Sequence, residues 1–205
     1  MGEHFSLEKR ELRRRCLAER RQVPCEQFAT NSLAICAQVV RLAVFSHAQH
    51  IVSYAALADE VDPRGIVEAG FDSAKTVYFP RLRGVGLEFL AHRPEHLRPG
   101  AFGIMEPSRG APLADAGNVL FLVPGVAFDP QGARLGRGGG HYDRALGDRP
   151  FGFRLGLAAE VQVKAGVPQD DRDEAMDAVV TERRLLWTAA RTRDAAHTKI
   201  EETLR

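Results

Sequence analysis

Residues 119–146 read VLFLVPGVAFDPQGARLGRGGGHYDRAL, and this stretch leaves little choice of local architecture. Val119 to Val123 are five apolar, mostly β-favouring residues, too few to cross a membrane and closed at once by Pro124 and Gly125. They predict a buried strand. The loop that follows holds Gly132, Gly136, Gly138, Gly139 and Gly140 and runs into His141–Leu146, which reads as the start of a helix. Strand, glycine-rich loop and helix therefore follow one another.

Glycine lets a backbone take positive φ and come close to a ligand, so that consecutive N–H groups point at one anion. Phosphate is the expected guest. Arg134 and Arg137 add two guanidinium groups suited to phosphate oxygens, and Asp143 is placed to share a divalent cation with them. The loop has no lysine and no GxxxxGK[ST] pattern, and GRGGGH lacks the spacing of a dinucleotide fingerprint. A bare glycine run fits a flexible surface loop equally well; the arginines and the aspartate weigh toward phosphate.

With 205 residues, 44% of them hydrophobic, the chain fills one core and is short for two, so residues 1–205 are expected to form a single domain. Twenty-eight basic residues against 27 acidic give a net charge of +1, which supplies no global field for nucleic acid or an anionic membrane. Cys16, Cys25 and Cys36 have no metal-type spacing and read as reduced thiols, with Cys36 in the core. No apolar run reaches the length of a membrane span or a signal sequence, so a cytoplasmic protein is expected.

Residues Ser6–Val23 predict a basic helix with Ser6 as N-cap. Its cations suit a solvated face. Alternatively, Lys9 and Arg13, four apart on one side, reach a common polyphosphate. Glu26–Ala43 is an amphipathic helix, and strands are expected at Ile51–Ala55, Thr76–Pro80, Leu87–Ala91, Arg154–Ala158 and Ala178–Thr181. The second and third of these form either a hairpin or a crossover. Asp59, Glu60 and Asp62 read as a turn and an N-cap, or as part of a ligand crevice at a strand's C-terminal end. Asp170, Asp171, Asp173 and Asp177 by themselves suggest a solvated loop. From Glu182 onward apolar spacing predicts a helix, so that residues 183–205 form a C-terminal helical extension. Strands alternating with helices predict an α/β fold with a mainly parallel sheet.

The run PGVAFDPQGARLGRGGGHYDRAL resembles PGxxFDxxGxRLGxGxGYYDxxL, the signature of the 5-formyltetrahydrofolate cyclo-ligase family, with His141 at the first of two tyrosine positions. Four further segments resemble that family in the same order: K-x-x-L-R from Lys9 to Arg13, SYAALADEVDP, GAFGIMEP, and VPQDDRDEAMDAVVTE against VPxxxxDxxxDxVVTE. Together they cover Lys9 to Glu182. The resemblance implies a three-layer α/β/α fold like that of the sugar-phosphate isomerase and CoA-transferase group. It implies an enzyme that closes 5-formyltetrahydrofolate to 5,10-methenyltetrahydrofolate at the expense of ATP, releasing ADP and phosphate.

On that resemblance ATP is held by Lys9, Arg13, Arg134, Leu135, Gly136, Arg137, Gly138, Gly139, Gly140, His141 and Tyr142. The folate is held by Ala55, Glu60 and Phe102 together with Arg137, Gly138, Gly139, Gly140 and His141. Phe102 is the aromatic beside the pterin; by composition alone a core role suits it as well. Arg137 and Tyr142 act at the reacting groups, and Asp143 and Asp173 hold Mg2+. The partners implied are the folate and ATP; a monomer is expected, and the near-neutral charge and the lack of a long apolar run point to neither nucleic acid nor membrane. A non-catalytic folate- or nucleotide-binding homologue would keep the fold but lose the arginines or the metal ligands. A sugar-phosphate isomerase would need no Lys9/Arg13 pair, and an RNA-binding module would rest on the N-terminal arginines alone.

Overall fold

Three helices precede the first strand: α1 (Gly2–Arg21), α2 (Cys25–Val39) and α3 (Ala43–His47). The computed structural model describes residues 2–100, 103–114, 117–149 and 151–188. The chain continues with β1 (His50–Val52), α4 (Arg64–Asp72), β2 (Thr76–Arg83), β3 (Gly86–Ala91), and a small ribbon of β4 (Arg98–Pro99) and β5 (Met105–Glu106). Then come β6 (Val119–Pro124), a second ribbon of β7 (Ala127–Phe128) and β8 (Arg134–Leu135), α5 (His141–Gly147), β9 (Phe153–Leu157), β10 (Ala178–Val180) and β11 (Leu185–Trp187).

Seven of these strands form one sheet in the order β11-β10-β9-β6-β1-β2-β3. The five inner strands run parallel, and β3 and β11 are antiparallel edges. The chain moves outward from β1 to β2, then returns to place β6 on the other side of β1, so the order reverses between β1 and β6. Two loops part there, and a crevice opens at the C-terminal ends of the strands.

The inner strands are apolar on both sides because helices cover both faces. Along β6, Leu120 and Leu122 face the layer that contains Phe28, Ile35 and Val39 of α2 and Ile66 and Val67 of α4. Val119, Phe121 and Val123 face the other layer, with Ala145 and Leu146 of α5 and Phe89 of β3. The period of two fixes the register, since a slip of one residue would exchange the faces. Helix α1 belongs to neither layer. Its Leu12 and Cys16 pack on Val126, Ala127, Ala133 and Leu135 of the β7–β8 ribbon, beyond the strand ends.

The expected α/β architecture with a mainly parallel sheet is observed, and Thr76–Arg83 with Gly86–Ala91 resolve as a hairpin. Ser6 is not a cap, because α1 is already helical from Gly2. The amphipathic helix predicted to Ala43 stops at Val39, and α3 begins again at Ala43. Leu185 and Leu186 are strand residues rather than the start of a helix. Thr181 Oγ1 accepts the N–H groups of Arg183 and Arg184 at 3.1 Å each, and Thr181 N–H donates to Arg184 O at 2.8 Å. That turn sends the chain back along β10, where edge pairing satisfies the backbone and outweighs the helical spacing. Residues 189–205 of the predicted extension lie outside the described residues.

Leu122 is fully buried in the central strand. Leu122→Ala is expected to lower stability by about 3 kcal/mol through lost burial and a residual cavity, measured by urea unfolding.

Candidate active site

A cavity of about 280 Å³ opens at the point where the strand order reverses. Its floor is Tyr54 and Ala55, which follow β1, and Pro124 and Gly125, which end β6. One wall is the loop from Arg134 to Asp143, and Lys9 and Arg13 of α1 close over it. Apolar Leu57, Pro80, Leu87 and Ile104, with the carboxylates Glu60 and Glu106 among them, line the remaining side. One end of the cavity thus suits an anion and the other a flat apolar group.

The loop is held from beneath by Asp129. This carboxylate, 4% exposed, accepts the N–H of Gln131 at 3.0 Å, of Ala133 at 2.9 Å and of Val167 at 2.9 Å. It locks the β7–β8 turn and ties that turn to the segment leading to Asp173. Buried Gln162 adds a second tie, donating from Nε2 to Gly125 O at 2.8 Å. Gly125 must be glycine, because a Cβ there would lie 2.6 Å from the Phe128 ring. Gly138 and Gly140 take φ of +107° and +63°, backbone that side chains rarely adopt.

Between Gly136 and Asp143 no backbone N–H donates to an acceptor among the described residues. Eight consecutive donors are thus left open beside a cavity, an arrangement suited to an anion. Four cationic side chains surround it. Arg13 Nε donates to Gly136 O at 2.8 Å, which fixes α1 to the loop. Arg134 donates from Nη1 to Pro124 O at 3.3 Å and from Nη2 to Asp143 Oδ1 at 2.7 Å. Arg137 reaches across the mouth to Asp59 at 2.9 Å and Glu60 at 3.1 Å. Lys9 pairs with Asp173 and, at 2.8 Å, with Asp170.

Burial alone would lower the Lys9 ammonium, but hydrogen bonds and charge from Asp170 and Asp173 hold it above its ordinary 10.5. It is charged at neutral pH. Burial pushes the Tyr142 hydroxyl well up, and the Glu60 carboxylate adds to the shift. Tyr142 therefore stays protonated at neutral pH. The Arg134 guanidinium lies 5.6 Å from its ring centre, within cation–π range.

Asp143 and Asp173 line the same cavity. Asp143 Oδ1 is taken by Arg134, and Asp173 Oδ2 by Lys9 and by the N–H of Asp170. The other oxygen of each accepts no hydrogen bond from the described residues. Among those residues no group of three His, Cys, Asp or Glu forms a metal cage. Two carboxylates with one open oxygen each fit a magnesium ion that takes the rest of its ligands from phosphate and water.

Of the residues singled out in the sequence, Lys9, Arg13, Ala55, Glu60, the loop Arg134–Tyr142, Asp143 and Asp173 come together at one cavity. Phe102 lies outside the described residues. Asp59, read with Glu60 and Asp62 as a turn or part of a ligand crevice, lies at the cavity mouth on Arg137, while Asp129, Gln162, Asp170 and Arg20 contribute to the arrangement without having been singled out for it. Asp129 carried a signal, an acidic residue beside a turn and between apolar strands. The others left none, because their partners are distant in the chain.

Fold and cavity define an α/β protein with a glycine-rich loop lining a cavity at the switch point of a doubly wound sheet. The chain belongs to the 5-formyltetrahydrofolate cyclo-ligase family, whose model matches residues 6–182. It is 30% identical to the 5-formyltetrahydrofolate cyclo-ligase of Escherichia coli K12 over 186 residues, covering 82% of this chain and 94% of the relative. The mouse 5-formyltetrahydrofolate cyclo-ligase is 26% identical over 193 residues, with 85% and 93% covered. The solution structure of Aquifex aeolicus 5,10-methenyltetrahydrofolate synthetase superposes with a TM-score of 0.76 at 32% identity, covering 91% of this chain and 94% of that one.

Asp129→Ala is expected to strand the buried N–H groups of Ala133 and Val167 and the half-buried one of Gln131, and to cost about 4 kcal/mol, since hydrogen bonds to a charged acceptor are among the stronger ones; chemical denaturation measures it. A pH dependence follows from two other carboxylates. Asp59 would be raised by burial, yet the Arg20 and Arg137 partners bring it below 3.8; Asp170 is lowered by Lys9 and by the Arg172 N–H. Their stabilisation is complete above the unfolded value and is lost as pH falls through the depressed folded values. The melting temperature should therefore fall below about pH 4, and Asp59→Asn should flatten that limb in a thermal melt series.

Proposed function

We propose that this chain converts 5-formyltetrahydrofolate to 5,10-methenyltetrahydrofolate in a reaction that consumes ATP, requires magnesium and releases ADP and phosphate. The observation that carries the reading is one cavity lined by eight consecutive residues whose backbone N–H groups have no protein acceptor and by four cationic side chains, in a chain of the cyclo-ligase family.

The formyl oxygen of the substrate is a poor leaving group. In the proposed course it attacks the γ-phosphorus of ATP, and the bond from that phosphorus to the ADP oxygen breaks. N10 then adds to the formyl carbon and loses its proton, and the carbon–oxygen bond breaks with phosphate as the leaving group. Phosphoryl transfer of this kind depends on positioning and on neutralising charge more than on covalent help. The loop N–H groups and Lys9, Arg13 and Arg134 bind and orient the triphosphate. Arg137 moves from Asp59 and Glu60 to the transferring group, and protonated Tyr142 donates to an oxygen of the reacting centre. Asp143 and Asp173 would hold the magnesium ion, which supplies positive charge to the phosphate oxygens when bound. No protein nucleophile is required, and no group in the cavity is set up as an obligatory base.

Glu60 keeps one oxygen on the Leu57 N–H at 3.1 Å and turns the other toward the cavity mouth, which suits N–H groups of a pterin. Leu57, Leu87 and Ile104 offer an apolar wall for the ring. A non-catalytic homologue is the weaker reading, because the arginines and both carboxylates are in place. The proposal extends to a cytoplasmic monomer. No described helix is long and apolar enough to cross a membrane, and Cys16, Cys25 and Cys36 are all free thiols.

The purified protein should form methenyl absorbance only when 5-formyltetrahydrofolate, ATP and magnesium are all present, with one ADP per product. Product without ATP, or ATP loss independent of the folate, contradicts the mechanism. Arg137→Ala is expected to lower kcat by about 100-fold, the scale of losing one charge-stabilising donor. Its melting temperature should change little, because the side chain is 44% exposed.

A further inference from the structure

Arg20 is the largest fully buried side chain among the described residues, and nothing in the proposed chemistry uses it. Its side chain has no exposure, and its Nε finds no hydrogen-bond partner. A buried guanidinium is costly and persists only where its partners are well placed. Here one Nη ion-pairs with Asp59 Oδ2, and the other donates to Gly125 O at 3.3 Å. Asp59 gives its second oxygen to Arg137 at 2.9 Å. A single carboxylate therefore stands between a buried arginine and the exposed arginine that closes the cavity mouth.

We infer that Arg20 is a positioning residue, acting through Asp59 to set where Arg137 rests and how readily it moves to the transferring phosphoryl group. The inference rests on the role proposed for Arg137. The chemistry is specific to a guanidinium. One planar fork reaches the carbonyl that ends β6 and the carboxylate that follows β1, so it ties the two loops that part at the switch point to one another. Its fixed charge also tempers the pull of Asp59 on Arg137. Without it, Asp59 is free to rotate, and Arg137 loses a defined resting place. Lysine retains the charge but cannot point donors at both partners.

Two measurements test the link. In the first, Arg20→Lys and Arg137→Ala are combined in a double-mutant cycle on kcat. The wild-type and Arg137→Ala proteins alone report whether Arg137 acts as proposed. Arg20→Lys is expected to lower kcat about tenfold with KM for MgATP changed less than about threefold, and to have almost no further effect in the Arg137→Ala background, because residues that act as a unit are not additive. A wild-type kcat, or the same fold loss in both backgrounds, overturns the inference. Asp59→Asn run through the same cycle reads the link with the buried arginine left in place. The second measurement needs no activity. The NMR signal of the Arg137 Nε–H, which donates to Glu60 at 3.1 Å, should shift in both Arg20→Lys and Asp59→Asn. An unshifted signal in both variants overturns the link even if the enzyme is active.

Discussion

The architecture of the site depends on one constraint: eight consecutive backbone N–H groups must be left without protein partners and yet be held still. An open loop of this kind cannot be rigid on its own, since glycines add conformational freedom and the unpaired donors give no ladder to hold it. The rigidity is imported. Asp129 anchors the ribbon beneath the loop through three backbone donors, Gln162 fixes the turn after β6, and Arg13 fixes the carbonyl at the loop's start. Each of these is a buried or half-buried polar contact whose loss would leave a desolvated group unpaired, so the loop is held by penalties against opening more than by apolar packing.

Helix α1 shows the same economy. Among its described side chains, Leu12, Cys16 and the half-buried Leu17 give it an apolar footing. The remaining attachment is charged: Lys9 to the loop of Asp170 and Asp173, Arg13 to Gly136, Glu19 to Lys164 at 2.5 Å, and Arg20 to Asp59. The helix that carries two of the cavity's cations is thus fastened by groups that a phosphate or a metal ion can compete for. Asp173 and Asp143 are each neutralised by a cation of the site, so a ligand taking either partner would exchange ion pairs and would not create charge in an apolar space.

Much of this was legible in the chain. The strand–loop–helix of residues 119–146 is written in local terms, five apolar residues followed by glycines at positions that need positive φ, and the structure follows it closely. The cavity residues were legible because their motifs arrive in a fixed order along a single family pattern. What escaped was non-local. Leu185 and Leu186 have helical spacing but lie next to a sheet edge that pairs with them, and Ser6 looked like a cap only because the helix before it was unseen. Arg20 looked like one more cation on a basic helix; its burial depends on Asp59, 39 residues away, and on Gly125, 105 residues away. No local pattern encodes such a partnership.

The central claim is that the bare backbone from Gly136 to Asp143 grips the phosphate chain. It is tested most directly by following the amide signals of the 15N-labelled protein while ADP and magnesium are added. The account predicts that the amides of Gly138, Gly139 and Gly140 shift and become protected from exchange in proportion to nucleotide bound. Saturable nucleotide binding that leaves those three amides unmoved would contradict it.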